Sequence, residues 1–455
     1  MCRRVSDRDI MSRCATMGGS VRQSFILAAV VSASAAGAPV DTLSNGLAVI
    51  LHEDHTVPLA TICIAVRTGA ACQTEETCGL AHFYEHMFFK GNAALPDQTA
   101  YNARMGELGI SRNGTTSDEI VRYYLTLPSE RLDEGLEFMY DAIATPLFDP
   151  VEMELERTVI LNEYMRNTTN PWWDYWKARE DVLHPSAPWR ANTIGTPEVI
   201  MSADPLVMHE FRRTYYTPDN CALIIAGDID PAEAMELAAT RMSGWERGGL
   251  SDYDSLPVLI DIPRDTLVSI AAPPGIRLVS IVYEGPPVHL DPGSTYAADV
   301  WGTLMEGMSG DFYRNLVVEG PFQWVSAGYY TQRFAPTVTL SGAPRPGRTD
   351  EALAALRAEI DRMCTGRAFT EEEVSGASAM LARRRLLSRT TAYDVAVETL
   401  AFWWVACGGL DYYEGYLDSI SAVTPGDVEG FLDRYVEGRP SVTFVVDDTQ
   451  AGGGS

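Results

Sequence analysis

Three side chains capable of metal chemistry stand close together in Gly79-Leu-Ala-His82-Phe-Tyr-Glu85-His86-Met-Phe-Phe-Lys90. No proline interrupts Ala71 to Ala94, so the segment can form a helix. His82 and His86 are then one turn apart on one face. Two imidazoles at that spacing can grip one Zn²⁺. Glu85 falls beside the pair, where it can reach a water at the metal without itself ligating. This is the inverted HxxEH order, not HExxH.

A hydrolytic zinc site needs a third protein ligand and one open position. The acidic segment Glu152 to Tyr164 offers Glu156 and Glu163, seven residues and so two helical turns apart on a shared face. One can ligate while the other hydrogen-bonds a ligand or orients water. Spacing alone does not rank them, and most helical glutamates are surface carboxylates.

These residues need a scaffold. Alternating strand-like text runs from Leu43 to His52 and from Leu59 to Arg67, with a hairpin signal at Asn45-Gly46. After the metal segment come a β-rich stretch, Ile120 to Leu127, and helical runs at 131–144 and 150–166. A helix near Val207 to Tyr216, a turn at Pro218-Asp219-Asn220 and a strand Cys221 to Ala226 close the first half. The second half closes alike: Phe211, Tyr215 and Asp228 have counterparts Phe431, Tyr435 and Asp448, each 220 positions on. That register predicts a duplicated α+β domain. The divisions expected are 39–250 for the domain with the metal residues, a linker around Gly248 to Arg264, 265–450 for the second domain, and a flexible tail at 451–455.

Composition narrows the function. The chain has 455 residues, 46% of them hydrophobic, enough for more than one globular core. Its formal charge of −27 argues against binding nucleic acid, whose phosphates it would repel. Residues 1–38 read as an export signal, with a disordered N-terminal extension as the alternative: arginines precede the apolar run Phe25 to Val31, and Ala36-Gly37-Ala38 fits a cleavage site. A periplasmic or secreted location follows, with no membrane span expected in the mature chain. Cys63, Cys221 and Cys407 lie in apolar runs and read as buried, whereas Cys72 and Cys78 could be bridged in an oxidising compartment or stay as free thiols. The cluster Trp172, Trp173 and Trp176 reads as core or interface packing, with a substrate surface as the alternative.

The sequence resembles the M16 (pitrilysin-type) metallopeptidases, in particular mitochondrial processing peptidase and its bacterial relatives. Gly79 through Gly91 is similar to that family's zinc helix, and Glu156 to Glu163 to its downstream helix. Asn45-Gly46, Pro58, Asn113 to Ser117, Tyr123-Tyr124 and Tyr216-x-Pro218-x-Asn220 extend the likeness along the first half. The resemblance implies two tandem α+β domains, each a mostly antiparallel sheet packed with helices, and paired chains enclosing a chamber for unfolded peptides. It implies Glu163 as third zinc ligand and Glu156 as its helper. It also implies that Asn113, Gly114 and Thr115 form an edge strand onto which an extended peptide adds by β-augmentation, where the plain alternative is an Asn-Gly turn.

One departure matters. Active members usually supply an Arg and a Tyr from a C-terminal domain to hold the oxyanion, and those positions fall near Val317 and Trp324 here. The implied arrangement is a second M16-like subunit that supplies them, with a homodimer using other residues such as Arg314, Tyr329 or Tyr330 as the alternative. Some relatives of this family are non-catalytic scaffolds, but those usually lose the zinc residues, all of which are present here.

Overall fold

The computed structural model describes residues 40–249, 251–308, 310–365 and 369–448; the expected export signal and the tail lie outside them. The architecture is mixed α and β, with two sheets and many helices.

The first sheet contains β1 (Val40–Thr42), β2 (Ala48–Glu53), β3 (Leu59–Val66), β4 (Ser111–Thr116), β5 (Val121–Pro128) and β6 (Cys221–Gly227), in the spatial order β1-β2-β6-β3-β5-β4. Every residue of β6 is buried, as its uninterrupted apolar text requires of a strand covered on both faces. β1 and β2 form the hairpin, with Gly46 supplying a φ of 92° in the turn. The second sheet contains β7 (Thr266–Ala271), β8 (Leu278–Glu284), β9 (Phe322–Tyr330), β10 (Thr337–Pro344) and β11 (Val442–Asp447), in the order β7-β11-β8-β10-β9. From β2 to β6 the first sheet has the same order. In each, the last strand in sequence inserts parallel to the first and antiparallel to the second. The 220-residue offset therefore marks equivalent places: Phe211 and Phe431 are buried in equivalent helices, Pro205–Tyr215 and Pro425–Tyr435, that feed β6 and β11.

Five helices of the first half bear on the site: α1 (Leu80–Phe88), α2 (Gln98–Leu108), α3 (Leu132–Ala144), α4 (Pro150–Thr168) and α5 (Trp173–Leu183). α1 and α3 share a core with one face of the first sheet. α5 instead packs on the second sheet, where Tyr175 and Leu183 join Ile260, Ile262, Ile270 and Phe444. Of the tryptophans, Trp176 is exposed, and Trp173 meets Tyr164 edge to face.

The two halves are tied by buried polar contacts. Glu119 accepts hydrogen bonds from the backbone N–H groups of Arg333 (2.8 Å) and Phe334 (2.7 Å), and the Arg122 guanidinium donates to the Val397 carbonyl at 2.9 Å. Among the described residues no helix is long and apolar enough to cross a membrane.

Cys72 and Cys78 are buried free thiols and do not bridge. The loop before α1 is held by Gln73, which is fully buried. Its amide donates to the carbonyls of Trp189 (2.9 Å) and Asn192 (3.1 Å), and its side-chain oxygen accepts from Gly79 N–H at 2.6 Å.

Candidate active site

α1 is amphipathic in a way that fixes where its histidines point. Tyr84 and Phe88 are buried and stack on Tyr216 and Tyr123, each at 3.7 Å between ring centroids. His82, Glu85 and His86 fall on the remaining face, toward α4. Gly79 begins the helix with a φ of 93°, and a β-carbon there would meet the Cα of Gly195 at 2.5 Å, so only glycine fits. α4 starts at Pro150, with the Asp149 carboxylate accepting from the N–H groups of Val151 and Glu152.

The two helices bring His82, His86 and Glu163 together, with one donor atom of each within 4.8 Å of the others. The Nε2 atoms of His82 and His86 are 3.3 Å apart, and Oε2 of Glu163 is 3.7 Å from each. Ligands at about 2.0–2.1 Å in a tetrahedron are separated by roughly 3.3–3.4 Å, so these atoms need move little to share one zinc ion. Two imidazoles and one carboxylate are a donor set suited to hydrolytic zinc. Burial, with His86 alongside, pushes the His82 imidazole down to about 4, leaving it neutral with a free lone pair. Burial also disfavours protonated His86, but the Glu156 hydrogen bond and the charges of Glu85 and Glu163 outweigh it and raise His86 above its ordinary value. A metal cation would take the place of that proton.

Glu156 is buried and stands outside this group of three, touching among them only the far side of the His86 ring. Its Oε2 accepts from His86 Nδ1 at 2.9 Å, and its Oε1 meets Lys90 Nζ at 2.5 Å. Burial works against its charge, yet the bonds from His86 and Lys90 hold its carboxyl below the usual range. The geometry thus separates the two glutamates that spacing could not rank.

Glu85 lies between the His82, His86 and Glu163 cluster and β4. Burial raises its carboxyl above the usual range, and the hydroxyl of Thr116 donates to its Oε2 at 3.3 Å. Among the described residues β4 is the sheet's edge and pairs only with β5, leaving its other side unpaired. On it Asn113 is exposed, Gly114 is buried against Glu85, and Thr115 accepts from the Arg122 guanidinium at 3.2 Å. Sequence reading did not assign Lys90 or Thr116 to the site. Lys90 was within reach of it, because His82, His86 and Lys90 continue one spacing of four.

In the second half Val317 is buried and Trp324 is exposed on β9. Of the alternatives there, Arg314 pairs with Asp311 at 2.5 Å and the Tyr329 hydroxyl donates to the Pro286 carbonyl at 2.6 Å, while Tyr330 is exposed.

Two family models match in tandem: "Insulinase (Peptidase family M16)" over residues 48–197, which takes in the whole cluster, and "Peptidase M16 inactive domain" over residues 203–381. The chain belongs to peptidase family M16. It carries two M16 domains of mixed α and β structure, with two sheets. The curated relatives include the uncharacterized zinc protease YmxG of Bacillus subtilis, 28% identical over 196 residues that make up 41% of this chain and 46% of the relative. The mitochondrial-processing peptidase subunit beta of Blastocladiella emersonii is 29% identical over 217 residues, 46% of this chain and 45% of that one. These matches span less than half the length of either relative. Among solved structures, a protease from Helicobacter pylori superposes with a TM-score of 0.78 at 18% identity, over 90% of this chain and 99% of the other. The periplasmic protease PqqL of Escherichia coli gives 0.73 at 17% identity, over 91% and 49%. At such identities these likenesses speak for the fold.

Proposed function

We propose that this M16 chain is a zinc-dependent endopeptidase acting on extended peptides. The observation that carries the reading is the convergence of His82, His86 and Glu163, from two helices, beside the carboxylate of Glu85. Zinc held by the three would supply Lewis-acid polarisation of a water and of the scissile carbonyl. Glu85 accepts the proton of the attacking water and passes it to the departing amine. Glu156 holds His86 in the orientation that presents Nε2 to the site. The free edge of β4 pairs with the peptide backbone, with Asn113, Gly114 and Thr115 along it. Burial of Glu85 favours a proton-shuttling role, because a carboxylate with a raised pKa keeps its proton longer after taking it.

The positions of the family's Arg and Tyr hold Val317, which has no polar side-chain group, and Trp324, which offers only a neutral indole N–H, and the second domain matches a model described as inactive. Both observations favour action as the metal-bearing member of a heterodimer, with a second M16-like subunit supplying those donors in an enclosed chamber. The periplasmic PqqL and the leader-like N-terminus favour export.

The test is hydrolysis of a mixed peptide library by the mature chain, alone and with an M16-like partner, with Glu85→Gln as control. Cleavage that requires the partner and is lost in Glu85→Gln supports the whole reading. Cleavage by the chain alone removes the heterodimer. Absence of cleavage in both, with zinc bound, turns the assignment to a non-catalytic scaffold.

A further inference from the structure

We propose that Lys90 is a positioning residue of the metal site, acting through Glu156 on His86. The inference rests on the zinc reading above. Lys90 lies just past the end of α1, its N–H donating to the Met87 carbonyl at 3.1 Å. Gly91, at φ 149°, turns the chain away, where a β-carbon would come within 3.0 Å of the Pro96 carbonyl oxygen. The turn leaves the Lys90 ammonium against Oε1 of Glu156 at 2.5 Å while Oε2 takes the His86 Nδ1 hydrogen at 2.9 Å.

A carboxylate held by one oxygen can swing about its last torsion, which is soft. Held by both, Glu156 has its plane fixed, and so has the imidazole that donates to it. The hydrogen on Nδ1 then leaves the His86 Nε2 lone pair aimed at the Nε2 of His82, 3.3 Å away, and at Glu163. His82 has no such support: its Nδ1 is buried without a hydrogen-bond partner among the described residues. The order in the metal face therefore depends on the chain His86–Glu156–Lys90. The ammonium also compensates the charge of a carboxylate on a side chain that is only 10% exposed.

The experiment is zinc titration of the full chain against a chromophoric chelator, for the wild type, Lys90→Met, Lys90→Arg, Glu156→Gln and the double variant Lys90→Met/Glu156→Gln. Lys90→Met is expected to weaken zinc binding by up to about 10-fold, the lower end of what loss of a direct outer partner of a ligating histidine costs, because Lys90 acts one step further out. Lys90→Arg keeps the cation and should recover most of the affinity. In the Glu156→Gln background the Lys90→Met loss should largely vanish, because its route is gone. Ring ¹⁵N spectra of the metal-free protein should show the Nδ1–H tautomer at His86 in the wild type and a mixture in Lys90→Met. If Lys90→Met does not fold, Lys90→Gln makes the same comparison. Unchanged zinc affinity in Lys90→Met, or an equal loss in both backgrounds, overturns the role of Lys90 alone. A wild type that binds no zinc overturns the metal reading and this proposal with it.

Discussion

A β-carbon on Gly114 would stand 2.8 Å from Cγ of Glu85 and 3.1 Å from its Oε1. The edge strand and the proposed base are in contact, and the contact exists because residue 114 has no side chain. Gly114→Ala should push the Glu85 carboxylate aside while leaving His82, His86 and Glu163 in place. Misplacing a reacting group by about 1 Å costs on the order of 100-fold in rate. The expected result is a fall of that size in kcat with zinc affinity unchanged, read by peptide hydrolysis and metal titration. Equal zinc affinity with full activity would mean that Glu85 tolerates the added methyl and that Gly114 serves only the strand.

Gln73 makes a second prediction, about the loop that launches α1. Gln73→Leu would leave the buried Gly79 N–H without a partner and take a donor from the half-buried carbonyls of Trp189 and Asn192. An orphaned buried group costs roughly 1–3 kcal/mol, so a loss of about 2 kcal/mol is expected in urea unfolding. Reductant should change nothing, because Cys72 and Cys78 are free. Burial pushes the Cys72 thiol up to about 12 and that of Cys78 up to about 11, so neither is a ready nucleophile for disulfide exchange.

These two residues show where sequence reading reached its limit. His82, Glu85 and His86 were legible because their relation is local: one helix, one face, fixed offsets. The duplicated fold was legible from Phe211 and Phe431 and their neighbours, since equivalent cores keep equivalent residues. Glu156 and Glu163 could not be ranked by spacing, because which one reaches the imidazoles depends on how α4 lies across α1. Gln73 carried no signal, and the resemblance placed Gly114 on an edge strand without indicating its contact with Glu85, since Trp189, Asn192 and Glu85 are brought to these residues by tertiary packing. The possible Cys72–Cys78 bridge was a reading of proximity in sequence, and the fold spends that proximity differently: Cys78 Sγ lies 3.9 Å from the carbonyls of Trp189 and Asn192.

Metal removal gives a third prediction. A ligand that binds only the folded state stabilises it by about 2.7 kcal/mol at a hundredfold excess over its dissociation constant. Zinc should therefore raise the Tm of the metal-free chain by several degrees, and a chelator should reverse the gain. Glu163→Gln, which removes a charged donor, should abolish most of the rise. Glu156→Gln should reduce it less, because Glu156 touches His86 and Lys90 and none of the atoms facing the ion. The reverse ranking would assign the third ligand to Glu156.

The fourth prediction concerns pH and lies away from the metal. His55, after β2, is held between Asp228 (2.6 Å) and Glu53 (2.7 Å), and Asp54 adds a further negative charge nearby. The hydrogen bond to Asp228, followed by that to Glu53, raises its pKa above the ordinary 6.5. The folded chain therefore keeps the proton over a range of pH in which the unfolded chain has released it. Stability from this cluster is fully present below about pH 6.5 and is lost as pH rises through the folded value. His55→Gln keeps a hydrogen-bonding side chain but not the charge, so its unfolding midpoint should fall below the wild type at pH 6 and converge with it in mildly alkaline buffer. Because the group is solvent-exposed, added salt should shrink the difference at pH 6. A gap that stays constant across this range would show that the interaction is not with the protonated ring.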